Sequence, residues 1–201
     1  MAAKKKTECK PVEMTCKVTD WDQYLFGQGN HYEIYKKLGA HLTEKDGVAG
    51  TYFAVWAPRA KSVKLIGDFN NWDNRRHPMR KLEKSGVWEI FVPGVQEGDR
   101  YKFHVVQFDG VAVDKTDPYG IYSELRPNTA SVLYPLKRYK WSDRKWMTAR
   151  KKYDVHKSPM SIYEVHLGSW LRAEENRFLT YIELADELIP YVKEMGYTHL
   201  E

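Results

Sequence analysis

Cysteine is scarce: 201 residues contain only two, Cys9 and Cys16. A single pair spaced C-x6-C, with no second Cys/His pair nearby, does not make a zinc site. Long apolar runs are also lacking. None approaches the ~20 residues of a membrane span, so no membrane partner is expected. The Lys4-Lys5-Lys6 run is not followed by an apolar stretch of signal-peptide length. Reduced thiols in a cytoplasm are the simplest reading. Charge is nearly balanced, with 32 Lys+Arg against 27 Asp+Glu. The remaining basic run, Arg150-Lys151-Lys152, has no nucleic-acid motif beside it and reads as solvated surface. Histidines such as His104 and His166 stand singly and read as structural. No His/Asp/Glu cluster calls for a metal, and nothing calls for a cofactor.

What the chain has is length for a core and many aromatic rings. At roughly 150 residues per domain, it holds about one to one and a half domains. Aromatics are 14%, with 14 Tyr and 7 Trp. Flat rings of this kind fill β-rich cores and also stack on sugars.

Residues 1–19 are charged and poor in large apolar side chains, and are expected to form a flexible arm. Residues 20–135 follow as a lead-in segment joined to a β domain. Asn30 is placed to cap a short helix over 31–38, stopped by Gly39. Short runs of strand texture then recur at 51–56, 62–66, 87–92, 100–108, 111–113 and 131–134. Gly, Pro and Asp punctuate them, as in a sandwich or barrel. Thr51–Trp56 is apolar on both alternating sets and reads as a strand covered on both faces. Residues 136–158 form a linker with a short helix over 143–151, capped by Ser142. From 159 the pattern changes. A strand of buried type is expected over 161–167. Thr180 then opens a helix whose Leu184, Leu188, Val192 and Met195 share a face, with the Thr-x-x-Glu spacing of a capping box to Glu183. Pro190 should kink or interrupt that helix, Gly196 ends it, and another strand begins at Tyr197. Strand, helix, strand in this order is a β-α-β unit of a parallel sheet.

Several strings resemble a known family. Trp56-Ala57-Pro58, Gly67-Asp68-Phe69-Asn70-Asn71-Trp72, Gly86-Val87-Trp88-Glu89, Tyr101-Lys102-Phe103 and Asp117-Pro118-Tyr119 are similar to a family 48 carbohydrate-binding module. The flanks narrow the resemblance. Tyr24-Leu25-Phe26-Gly27-Gln28-Gly29, Lys37-Leu38-Gly39-Ala40-His41, Ser123–Ser131 and Ile162–Trp170 resemble bacterial glycogen branching enzymes of the α-amylase superfamily. The resemblance covers about residues 20–201. It implies a mainly β fold: an immunoglobulin-like β-sandwich, then the first β-α-β step of an incomplete (β/α)8 barrel over 159–201. It also implies an α-glucan such as glycogen as partner. The parent reaction would transfer an α-1,4-glucan segment to a 6-hydroxyl. The alternative is a non-catalytic α-glucan-binding or interaction module.

A retaining transglycosylase needs two carboxylates about 5–5.5 Å apart. In this family those acids lie on barrel strands that would follow residue 201, so no catalytic residue is carried over. Glu164 is expected mid-strand and Glu174-Glu175 in the following loop, which does not set two carboxylates across a glycosidic bond. The chain is therefore expected to be a fragment, inactive alone, whose other partner is the missing barrel portion. For glycan binding the resemblance points to Trp72, with Asn71 beside it, and to Lys102; the alternatives are that Trp72 packs the loop or the interface of the module with the barrel, and that Lys102 is a plain solvent-facing strand residue. The Gly110-Val111-Ala112-Val113 stretch lacks a second Trp found in the strongest binders of this type. Trp170 is placed either in a glucan groove or at an interdomain contact.

Overall fold

The structure is a computed structural model that describes residues 17–136 and 139–201. Cys9, Cys16, Lys4-Lys5-Lys6 and most of the expected arm lie outside the described residues. The chain divides between Tyr139 and Lys140 into two compact units.

The first unit is mainly β. A helix, α1 (Asp20–Gly27), opens it. It forms because Thr19 and Asp22 cap each other reciprocally: Thr19 Oγ1 accepts from the Asp22 amide at 3.1 Å, and Asp22 Oδ2 accepts from the Thr19 amide at 2.8 Å. The helix expected over 31–38 is absent. Only Ile34–Lys36 makes a 3-10 turn, and Glu33 rather than Asn30 precedes it without a side-chain cap. The physical reason lies in Asp22. His31 and Lys37 both turn toward its carboxylate, at 2.8 and 3.2 Å, and that bends the chain between them.

Strands β1 (Gly39–Lys45), β2 (Val48–Trp56), β5 (Val87–Pro93) and β4 (Arg80–Leu82) form one antiparallel sheet in the order β1-β2-β5-β4. Asp46 and Gly47, both at positive φ, close the β1–β2 hairpin with Lys45 opposite Val48. Strands β3 (Ala60–Gly67), β6 (Arg100–Gln107) and β7 (Ala112–Lys115) form a second sheet, with β8 (Ser131–Val132) on the end of β6. Phe53, Val55, Trp88 and Val92 of the first sheet share one core with Val63, Leu65, Tyr101 and Phe103 of the second. On the opposite face of the first sheet, Tyr52, Ala54 and Val87 pack with Val18 and Leu38. That covers β2 on both sides, as its unbroken apolar pattern predicts.

The second unit holds α2 (Arg144–Arg150), β9 (Ile162–Tyr163), α3 (Leu167–Trp170), α4 (Tyr181–Glu194) and β10 (His199–Leu200). β9 and β10 are parallel, with His199 opposite Ile162, so strand, helix and strand follow in the expected order. Three details differ from expectation. The strand expected over 161–167 is two residues long with Ile162 exposed, because it pairs with β10 only through His199 and Leu200. α4 runs through Pro190 without the break that is one of the two expectations for that residue. Asp143, not Ser142, precedes α2, and it makes no capping bond.

Candidate functional site

The first candidate residues lie where β3 ends. Gly67 approaches β6 so closely that a Cβ there would sit 2.3 Å from the Arg100 carbonyl oxygen and 2.6 Å from the Phe69 ring. The next turn, Asp68–Asn70, is 3-10, and its anchor is Asn70. This side chain is buried. Its Oδ1 accepts from the Gly67 amide at 2.9 Å, while Nδ2 donates to the Leu65 carbonyl at 3.0 Å and to His77 Nδ1 at 2.8 Å. Burying an amide costs free energy unless its hydrogen bonds are made, and here they are.

Asn71 and Trp72 then both take left-handed backbone, at φ 54° and 60°. The Trp72 amide donates to the Gly67 carbonyl at 2.9 Å, and its indole Nε1 donates to Asp68 Oδ1 at 3.2 Å. Trp72 is 37% exposed. Asp68 is itself clamped by Arg100, whose Nε and Nη2 donate to its two oxygens at 2.8 and 3.0 Å. That guanidinium holds the Asp68 carboxyl below its ordinary range. Arg100 also reaches Glu124 at 3.1 Å, and Glu124 accepts from the Ala130 amide at 3.0 Å. The Trp72 turn, the start of β6 and the 124–130 segment are thus cross-tied.

Lys102 follows on β6, opposite Ile66 of β3, and its Nζ donates to Thr129 Oγ1 at 2.8 Å. Tyr101 and Phe103 point into the core, so strand alternation puts Lys102 and His104 on the outer face of the second sheet. His104 pairs there with Asp114 of β7 at 2.7 Å and meets Asn74 at 3.4 Å. The structure thus brings Asn71, Trp72 and Lys102 into one unit. Residues the sequence did not single out tie to them or to their neighbours: Asp68 to Trp72, Arg100 to Asp68, Thr129 to Lys102, and Asn74 and Asp114 to His104. Lone polar residues carry no pattern of their own, but the period-2 alternation of β6 marks Lys102 and His104 as neighbours on one face.

Trp170 belongs to the second unit. Its Nε1 donates to the Tyr163 hydroxyl at 3.1 Å, and its ring lies 5.7 Å from Tyr191. Tyr163 also packs against Tyr191 and Tyr197, so the four form one aromatic group. Glu164, Glu174 and Glu175 are in the same unit, and Glu175 sits at φ 59°. Among the described residues no group of three His, Cys, Asp or Glu side chains is placed to hold a metal. No helix among them is long and apolar enough to cross a membrane.

Residues 37–120 match the family of carbohydrate-binding module 48, described as the isoamylase N-terminal domain. The chain is similar to proteins named 1,4-alpha-glucan branching enzyme GlgB. It is 50% identical to that of Synechocystis sp. over 93% of this chain, and 53% identical to that of Rubrobacter xylanophilus over 92%. It spans about a quarter of the length of these curated relatives, 27% and 25% respectively. Among solved structures it resembles type I pullulanase from Bacillus subtilis complexed with maltose, with a TM-score of 0.59 and 26% identity. That match covers 81% of this chain and 23% of the other. Pullulanase from Bacillus acidopullulyticus gives the same TM-score at 22% identity, covering 81% of this chain and 21% of the other, which speaks to the fold alone. Nearly the whole chain is thus similar to about a quarter of the length of proteins named 1,4-alpha-glucan branching enzyme GlgB, and residues 37–120 match carbohydrate-binding module 48.

Proposed function

We propose that this chain supplies the α-glucan-binding front of a cytoplasmic branching enzyme of glycogen synthesis. The whole protein would move an α-1,4-glucan segment onto a 6-hydroxyl and so form an α-1,6 branch. In this reading the two-sheet unit is an immunoglobulin-like sandwich. The β9-α4-β10 unit is then the first step of a (β/α)8 barrel whose later strands carry the paired carboxylates. Catalysis of this kind needs two acids held rigidly across the glycosidic bond, and Glu164, Glu174 and Glu175 are not such a pair. Trp170, beside β9, is assigned to the groove or contact of that barrel.

The observation that carries the binding role is Trp72. Its indole is partly exposed, yet fixed at Nε1 by Asp68 and at its amide by Gly67. A ring already immobilised loses little further freedom when a sugar stacks on it, so more of the stacking free energy appears as affinity. Lys102, hydrogen-bonded to Thr129 on the outer face of the same sheet, offers a donor for sugar hydroxyls. Asn71 adds an exposed amide.

The test is titration of the 201-residue chain with maltoheptaose by calorimetry. Trp72→Ala is expected to weaken binding about tenfold, and Lys102→Ala by less. Binding unchanged by Trp72→Ala would remove the proposed site. Incubation of the same chain with amylose is expected to yield no α-1,6 linkages. Any branching would show that these residues hold catalytic groups of their own.

A further inference from the structure

Two consecutive non-glycine residues in left-handed backbone form an uncommon turn, and each such residue costs about 1 kcal/mol or more. Such a turn persists only if its surroundings hold it from both sides. On the leading side the anchors are plain: Asn70 bonds Gly67, Leu65 and His77, and Asp68 bonds the indole. On the trailing side Asp73 is tied back to Asn70, its amide donating to the Asn70 carbonyl at 3.1 Å and its carbonyl accepting from Asn70 Nδ2 at 3.3 Å, while Arg75 and Arg76 reach back to the Asp73 carboxylate.

Asn74 adds a tie from this trailing leg to the outer face of the second sheet. Its Nδ2 lies 3.4 Å from His104 Nε2, and His104 Nδ1 lies 2.7 Å from Asp114 Oδ1. The chemistry fixes the direction of both bonds. An ionised carboxylate can only accept, so Nδ1 of the ring carries the hydrogen. In the tautomer with its hydrogen on Nδ1, Nε2 is the acceptor that meets the amide nitrogen of Asn74, which can only donate. His104 sits in the middle of β6, paired to Lys64 on one side and to Asp114 on the other, and its side chain is only 13% exposed. It is therefore a rigid post. The ring spans from β7 to the turn and leaves the imidazole little room to swing.

We infer that His104 is a positioning residue for the Asn71–Trp72 turn: through Asn74 on one side and Asp114 on the other, it pins the trailing leg of the turn to the second sheet and so sets the attitude of the Trp72 ring. The functional part of this inference rests on the proposed binding role of Trp72. The positional part does not.

The experiment separates the two. The full chain is labelled with nitrogen-15, and the Trp72 indole N–H resonance is identified by its loss in Trp72→Phe. Four variants are compared with the parent: His104→Ala, His104→Asn, His104→Gln and Asn74→Ala. Asparagine at 104 keeps a polar group near the place of Nδ1, and glutamine keeps one near that of Nε2. The Trp72 resonance is expected to move in His104→Ala, His104→Asn and Asn74→Ala, and to stay near its parent position in His104→Gln. Maltoheptaose affinity is expected to fall about two- to tenfold in His104→Ala, His104→Asn and Asn74→Ala and to be largely rescued in His104→Gln. A merely stabilising histidine would lower the melting temperature without this ordering. An unmoved indole resonance in His104→Ala and Asn74→Ala overturns the inference. So does unchanged affinity in those variants where Trp72→Ala weakens binding. If Trp72→Ala binds as the parent does, the glucan-binding reading fails while the resonance still decides the position.

Discussion

At the scale of the residue, the most consequential side chains are buried polar ones that bind nothing outside the protein. Asn70 is the clearest. The string Asp68-Phe69-Asn70-Asn71-Trp72 is visible in the sequence, but it does not tell which asparagine faces outward. The structure does: Asn70 is buried with its side chain bonded to Gly67, Leu65, Asp73 and His77, while Asn71 is exposed. Asn70→Ala would leave the Gly67 amide and the Leu65 carbonyl without their partner, at a cost of about 1–3 kcal/mol. Asn71→Ala should cost far less. Chemical denaturation of the two variants checks the ordering, and equal losses would refute it. Asp22 makes a second case. Burial works to raise its pKa from 3.8, but hydrogen bonds from Thr19, His31 and Lys37 outweigh burial and lower it. A carboxyl depressed by folding stabilises the folded state above its unfolded value, and that contribution is lost as the pH falls toward its folded value. Asp22→Asn should therefore be less stable than the parent at pH 7, and the gap should shrink below about pH 4. Denaturation midpoints at pH 7 and pH 3 test this; a gap that widens in acid would contradict it.

At the scale of the element, sequence patterns succeed where one local force dominates and fail where distant contacts decide. The helix α4 was legible because its cap and its apolar stripe agree. Thr180 Oγ1 accepts from the Glu183 amide at 3.3 Å, Glu183 Oε2 accepts from the Thr180 amide at 2.7 Å, and Leu184, Leu188 and Val192 are buried. Hydrogen bonding to Arg177 and to Thr180 holds Glu183 down at about 2. The helix expected over 31–38 had a plausible cap and stop but no such agreement. Its His31 and Lys37 serve Asp22 instead, a contact no local window reveals. β1 was missed for a related reason. Gly39-Ala40-His41-Leu42-Thr43-Glu44-Lys45 has weak alternation, and its strand state comes from pairing along the length of β2. Thr180→Ala is expected to cost about 1 kcal/mol, within the usual 0.5–2 for a lost N-cap. Thr148→Ala, whose hydroxyl only bonds back to the Arg144 carbonyl within α2, should cost less. Thermal unfolding of the two variants, followed by helical circular dichroism, measures the difference, and a neutral Thr180→Ala would mean that packing alone sets the start of α4.

At the scale of the whole molecule, the two units are built with different amounts of core. The first buries residues from both sheets in one cluster and covers the outer face of β2 with a second. Its strands pair over seven residues in the longest ladders. The second has Leu184, Leu188 and Val192 as its buried apolar residues among those described, and a parallel pair of two-residue strands. Protection against exchange follows from such differences, because opening frees little buried surface where little is buried. Amides of β2, β5 and β6 should therefore exchange at or near the global unfolding limit, and those of β9, β10 and α2 orders of magnitude faster. α4 should be intermediate, since it hydrogen-bonds internally but packs by one narrow stripe. The same reasoning bears on function. A glucan site on the first unit sits on the part of the molecule that opens least, so maltoheptaose should raise protection around residues 64–72 and 100–104 and leave 160–201 unchanged. If exchange is uniformly slow across 160–201 without ligand, the second unit is better supported than its buried residues allow, and the ranking of the two units by core size is wrong.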